Sequence, residues 1–259
     1  MKVVPMIFNT DMVKALMAGD KVVTRRPVSP YPEASGFGYD WWPSKKFSSM
    51  VQVSGFEKID CDYKRDFVEE TVRDACPIAN IGDLIYVRET WGVVSHQFDD
   101  HGNMVKWTPD RPSTQVKELK FGKGYYTGHA IYRADGEMRW CNDFEDEVSA
   151  WKPSIHMPRT ASRLTLKVTD VRIEKLQDIT EEQCWKEGIE HTIGTFDIYQ
   201  LSEMAKTFDG TFEDAKASFA CLWDSIYKDW HQNPYVWVIE FEVIHQNVDQ
   251  YLQSIKNAA

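Results

Sequence analysis

Apolar side chains recur along this chain with two periods, and the switches between them mark its elements. Over residues 11–18, Met12, Val13, Leu16 and Met17 form one stripe at helical spacing, which predicts a short helix with Thr10 as N-cap and Gly19 as its stop. Residues 3–8 before it and those after Gly19 read as strands. Gly82 and Asp83 make a turn feeding a strong strand at 84–91. At period two, Leu84, Tyr86, Arg88 and Thr90 share one face, while Ile85, Val87, Glu89 and Trp91 share the other. That second face carries a carboxylate among apolar residues, where an acid must be paired, protonated or facing a cavity. An ion pair with an arginine and a functional role are equally good readings of it. Further on, Leu164, Leu166 and Val168 alternate with Arg163, Thr165 and Lys167, and the strand continues through Val171 and Ile173. Residues 179–188 read as a helix with clear ends: Thr180 and Gln183 form a capping box, Ile179 and Cys184 have staple spacing, and Gly188 closes it. Glu187 lies three after Cys184 and four after Gln183, so its carboxylate can turn towards the protein body.

The C-terminal third is mostly regular. From Thr211 a core helix is predicted, with Phe212, Ala215, Phe219, Leu222, Trp223, Ile226 and Tyr227 on one stripe. Tyr235, Trp237, Ile239, Phe241 and Val243 alternate with Val236, Val238, Glu240 and Glu242 in a strand, and a short surface helix is expected beyond Asn247. Residues 194–210 give no clear pattern. Two long segments break the regularity. Residues 28–80 are punctuated by proline and glycine with Tyr31, Phe37, Tyr39, Trp41 and Trp42 between them, which favours a packed insertion. Residues 95–128 read as a second irregular insertion, with a strand leaving it at 129–134. The acidic stretch Asp143, Glu145, Asp146 and Glu147 reads as a solvated face. Residues 151–159 make a stiff loop bracketed by Pro153 and Pro158, in which His156 and Arg159 either serve a ligand or stabilise the turn.

Composition narrows the function classes. At 259 residues the chain fits one large domain or two small ones, and 42% hydrophobic content supports a real core. A formal net charge of -10 excludes a broad basic face for gripping nucleic acid, though not a pocket for a base. No apolar run approaches the roughly 20 residues of a membrane span, and the N-terminus lacks the apolar core of a signal peptide, so a cytoplasmic protein is expected. Cys61, Cys76, Cys141, Cys184 and Cys221 are scattered and odd in number, which argues against a disulfide framework and a structural zinc site. No metal and no cofactor is expected.

The densest candidate chemistry lies at Gly19-Asp20-Lys21-Val22-Val23-Thr24-Arg25-Arg26, a helix-to-strand corner. A lysine beside a threonine hydroxyl can activate a weak nucleophile when burial or a neighbouring cation keeps some of the amine neutral. Taken alone, these eight residues favour a solvated turn with a basic flank.

The wider pattern changes that balance. A helix, a G-x-K-x-x-T-x-R corner, a G-D-x-hydrophobic-x-V-R-E strand, a long strand, a short I-T-E-E helix and a final V-I-E-F strand together resemble the ASCH domain, a PUA-like fold. Pro-Ser-Ile-His-Met-Pro-Arg at 153–159 and Leu-Trp-Asp-Ser-Ile at 222–226 resemble the longer ASCH-type proteins of phages and prophages. The resemblance covers roughly 3–27, 82–92 and 151–244. It implies an α+β fold, a small mixed β-barrel flanked by helices, forming a single domain over 1–246 with insertions at about 28–80 and 95–128 and a tail at 247–259.

Within that group, the bacterial amidohydrolases that deacylate N4-acetylcytidine use a lysine, a threonine and a glutamate. By resemblance those roles fall to Lys21, Thr24 and Glu187, with Thr24 attacking the amide carbonyl, Lys21 taking its proton, and Glu187 orienting the lysine or protonating the leaving amine. The implied function is hydrolysis of an N-acylated cytosine base or nucleoside. The alternative is a non-catalytic module that binds RNA, single-stranded nucleic acid or a modified nucleobase. In either case Arg25, Arg26, Arg88 and Arg159 are candidates for phosphate or carboxylate, Glu89 for an exocyclic amine, Trp91 for stacking and His156 for the rim.

Overall fold

The computed structural model describes residues 1–138, 140–141, 147–149 and 151–258. The acidic stretch 143–146 lies outside the described residues, and only the backbone of Glu147 is described. In chain order the elements are β1 (Val3–Ile7), α1 (Thr10–Ala18), β2 (Val23–Pro27), β3 (Glu33–Ala34), β4 (Asp40–Ser44), β5 (Ser49–Gln52) and α2 (Asp62–Ala75). Next come β6 (Leu84–Arg88), β7 (Trp91–Val94), β8 (His96–Phe98), β9 (Met104–Lys106), β10 (Thr114–Phe121) and β11 (Gly124–Tyr132). They are followed by β12 (Trp140–Cys141), β13 (Glu147–Val148), β14 (Thr165–Lys175), α3 (Glu181–Lys186), α4 (Ile198–Ala205), α5 (Ala215–Tyr227), β15 (Tyr235–Ile244) and α6 (Val248–Ala258).

The largest sheet has the order β1-β6-β14-β15-β2, and β10-β11-β7, β3-β4-β5, β8-β9 and β12-β13 form smaller ones. The class is mixed α+β, as the sequence predicts. Among the described residues the strands form separate sheets and no closed barrel, since β1 and β2 stand as the two ends of the five-stranded sheet. The chain divides into two compact units: Met1–Lys2, Ala18–Leu84 and Lys167–Val243 in the first, Val3–Met17, Ile85–Leu166 and Ile244–Ala259 in the second.

In the first unit β2 pairs antiparallel with β15, placing Arg25 across from Val238 and Thr24 across from Ile239. Val236, Trp237, Val238 and Ile239 of β15 are all buried, so this strand has no solvent face over those residues. The segment after β2 is packed: Trp42 of β4 is buried edge-on against Trp237, with ring centroids 5.5 Å apart. The α3 capping box forms as expected, with Gln183 N–H donating to Thr180 Oγ1 at 3.2 Å and Thr180 N–H donating to Gln183 Oε1 at 3.0 Å. Residues 194–210, which give no clear pattern in the sequence, contain a helix, α4, opened by a second capping box between Asp197 and Gln200. The helix expected from Thr211 begins only at Ala215, because the Glu181 carboxylate accepts from the N–H groups of Ala215 and Lys216 at 2.9 and 3.0 Å and so fixes its first turn. Phe212 therefore precedes α5 and is 41% exposed.

In the second unit, Met12 N–H donates to Asn9 Oδ1 at 2.8 Å, so Asn9 and not Thr10 caps α1. The strand expected at 84–91 is interrupted: β6 ends at Arg88 and β7 starts at Trp91. Ile85, Tyr86 and Val87 are all buried, so both faces are covered and the two-face reading does not separate core from solvent. Residues 95–128, expected to be irregular, hold the β8-β9 hairpin and most of the long pair β10-β11. A bulge between Val116 and Leu119 breaks the alternation there and hides the strand from a period-two reading. The tail is a helix, α6, preceded by Asn247, which donates to the carbonyls of Arg159 and Ser162 at 2.9 and 2.7 Å.

Candidate functional site

The corner between α1 and β2 is fastened by the backbone on two sides. Val22 N–H donates to the Lys186 carbonyl at 2.9 Å, Phe241 N–H donates to the Val22 carbonyl at 3.0 Å, and Lys21 bridges to Glu187. Gly19 supplies the left-handed turn at φ 86° that lets the chain leave the helix and enter this position. Lys21 thereby becomes fully buried. Its Nζ donates to Glu187 Oε2 at 2.6 Å and to the Glu187 backbone carbonyl at 2.8 Å, placing a cation on the carbonyl end of α3.

Glu187 is buried as well, and its other oxygen accepts from Arg25 Nη1 at 3.1 Å. Arg25 Nη2 reaches Glu174 Oε2 at 3.2 Å and Gln183 Oε1 at 3.0 Å. Lys21, Arg25 and Glu187 thus form a buried cluster with the capping residue of α3 as a neutral member, and it continues through half-buried Glu174 to Arg172. Burial pushes the Lys21 amine below the ordinary lysine range; Glu187 pulls it back up, and Arg26 and Arg25 push it further down. This is an amine whose proton is loosely held while its position is fixed.

Thr24 lies on β2 and is 3% exposed. Among the described residues its hydroxyl has no hydrogen-bond partner, and no hydrogen bond joins it to Lys21. The structure therefore brings Lys21, Glu187 and Arg25 together and leaves Thr24 nearby on the strand without a direct link. Arg26 Nη1 donates to Tyr227 OH at 3.3 Å. Cys184, inside α3, is an inert thiol pushed up to about 12 by burial.

The other sequence-predicted residues belong to the second unit. Glu89 is buried and both its oxygens are taken by Arg163, at 2.9 Å from Nε and 2.9 Å from Nη2. Arg163 Nη1 also donates to Asp135 at 2.7 Å, and its guanidinium lies 4.0 Å from the centre of the Tyr132 ring. Burial raises the Glu89 carboxyl above its ordinary range, Arg163 opposes that shift and Asp135 adds to it. The carboxylate read from the sequence as needing a partner has one, bidentate and buried.

Trp91 is 0% exposed and packs edge-on against Phe121 in a core with Tyr132 and Met157, so its ring has no free face for stacking. Arg88 donates to the Ile155 carbonyl at 3.1 Å and to Tyr86 OH at 3.2 Å. Arg159 is paired with Asp249 through Nε at 3.2 Å and Nη2 at 2.5 Å. His156 is exposed at the end of a 3-10 turn, its ring 6.2 Å from Phe121.

Several residues of these networks carry no signal in the sequence reading. Glu174 sits at a polar position of β14, Asp135 in a short turn and Asp249 in α6, and each is placed by tertiary structure alone. Among the described residues no group of three or more His, Cys, Asp or Glu side chains is arranged to hold a metal ion, and no helix is long and apolar enough to cross a membrane. No protein-family model matches the chain, no curated protein matches it, and no solved structure matches it.

Proposed function

We propose that this chain is an ASCH-type, PUA-like protein that hydrolyses the amide of an N-acylated cytosine base or nucleoside. The observation that carries the reading is the fully buried Lys21, held by Glu187 and with its proton loosened by burial. In the neutral form Lys21 accepts the proton of Thr24 as Oγ1 bonds to the acyl carbon. Collapse of the adduct breaks the bond to the cytosine amine, which leaves with that proton. Water then cleaves the acyl-threonine ester to release the acid and restore Thr24. Glu187 keeps the amine in place, and Arg25 holds Glu187. With Lys21 closed off and Thr24 nearly so, the acyl group reaches the threonine only when neighbouring side chains move aside.

A second reading is favoured by one feature: Lys21 donates twice to Glu187 and not at all to Thr24. A site satisfied in this way suits a module that binds a modified nucleobase without cleaving it. Incubation of the protein with N4-acetylcytidine, with cytidine followed by chromatography, separates the two. Cytidine release that Lys21→Met and Thr24→Ala abolish and Thr24→Ser retains in part, with thermal unfolding intact, supports the hydrolase. Absence of release together with saturable binding supports the binder. Release that is untouched by both substitutions refutes the assigned roles.

A further inference from the structure

The β10-β11 hairpin carries Lys117, Lys120 and Lys123 against one carboxylate, Glu118, in a protein with a formal net charge of -10. All three lysines are exposed, and among the described residues none has a carboxylate partner. In a regular strand Lys117 and Lys120, three apart, fall on opposite faces. The bulge changes this: Val116 pairs with Gly128 and Leu119 with Tyr126, so two residues face Thr127 alone. Val116 and Leu119 are consequently both buried, and Lys117 and Lys120 both lie outside. Glu118 takes the left-handed conformation this requires, φ 50°, and its N–H donates to Thr127 Oγ1 at 3.0 Å.

An aromatic ring accompanies these cations. Lys120 stands directly across from Tyr125, which is 68% exposed. Tyr126, paired with buried Leu119, lies on the opposite, core-facing side, where Lys152 covers its ring at 4.9 Å, so neither belongs to the outer face. Cations spaced along a rigid ribbon suit successive phosphates, and an exposed aromatic face beside them suits an unstacked base.

We infer that the β10-β11 hairpin is a binding surface for single-stranded nucleic acid, with Lys117, Lys120 and Lys123 on phosphates and Tyr125 stacking on a base. The inference uses residues remote in sequence from Lys21 and Thr24 and stands whichever reading of that site holds.

The test is fluorescence anisotropy of the full chain with fluorescein-labelled fifteen-residue oligothymidylate and oligouridylate at 50–200 mM salt. Three phosphate contacts at a slope of about 0.7 each give a logarithmic salt slope near -2.1, or about a 20-fold loss of affinity across that range. The triple variant Lys117→Gln/Lys120→Gln/Lys123→Gln should lower the slope by about 2, and Tyr125→Ala should weaken binding about tenfold at every salt concentration. Both variants alter exposed side chains, and circular dichroism melting confirms their folding. Lys64→Gln, which removes an exposed lysine of α2, should leave oligonucleotide binding unchanged. Absence of binding at 50 mM salt overturns the inference. So does equal binding to polyglutamate or to phosphatidylserine vesicles with no effect of Tyr125→Ala, because a diffuse attraction to polyanions would then account for everything.

Discussion

Replacing Glu187 with glutamine keeps the shape of the buried network and removes the charge at its centre. Of the two buried cations, Arg25 then keeps Glu174, which it shares with Arg172, and Lys21 is left with no carboxylate partner. Breaking a buried ion pair by removing one partner costs about 3–5 kcal/mol, because the remaining charge stays out of water. For a chain of this length each kcal/mol moves the melting temperature by about 2–4 °C, so Glu187→Gln should melt roughly 6–20 °C lower at neutral pH. The deficit should depend on pH. Glu187 is the main influence holding the Lys21 pKa up, so the variant amine gives up its proton at a lower pH than the wild-type amine. Folded Lys21 then binds fewer protons than the unfolded chain up to the ordinary lysine range, and stability rises with pH across that window. Melting followed by circular dichroism at pH 6, 7.5 and 9 reads both effects. A loss under about 1 kcal/mol, or a loss that stays constant from pH 6 to 9, refutes the buried-pair reasoning.

Arg163→Met should cost about 3–5 kcal/mol at neutral pH by stranding Glu89 and Asp135. Because the Glu89 carboxyl is already raised, the folded state takes up a proton before the unfolded one as pH falls, and urea denaturation should show the deficit narrowing from pH 7.5 to 5. Thr180→Ala should cost about 1 kcal/mol through loss of the α3 cap, visible as a small drop in melting temperature; no change would mean the capping box contributes nothing. If Lys21 is the proton acceptor, the rate of N4-acetylcytidine cleavage should rise with pH and level off below the ordinary lysine pKa, since burial lowers it. An inflection at or above that value would remove Lys21 from the role.

Sequence and structure agree where a local rule acts alone. The α3 capping box, the turn at Gly19 and the apolar β15 strand each follow from neighbours in the chain, and Glu89 announces its need for a partner by its place among apolar residues. What the sequence hides depends on contacts from elsewhere. The start of α5 is set by Glu181, which no stripe of apolar residues reveals. The β10 strand is masked by its bulge, and α4 is only eight residues long, so Ile198, Leu201 and Ala205 give too short a stripe to stand out, even though Asp197 and Gln200 carry its cap. Within the candidate site, Lys21 stands out in the sequence as an amine close to a threonine hydroxyl at a helix-to-strand corner. The role of Arg25 as a clamp on Glu187, and the burial of Trp91, emerge only when the chain is folded.

Gln183 accepts both the N–H of Thr180, as a capping residue, and a guanidinium N–H of Arg25, as a member of the buried network. A capping box accepts glutamate as readily as glutamine. At this position the two are not interchangeable, because a glutamate would place a third carboxylate around Arg25 and add a negative charge beside Glu187 and Glu174. Lys21 would then hold its proton more tightly. The choice between an amide and an acid in the first turn of a six-residue helix thus acts as a tuning control on the basicity of an amine bound at its far end, and drift at position 183 is constrained by electrostatics that helix formation alone would not impose.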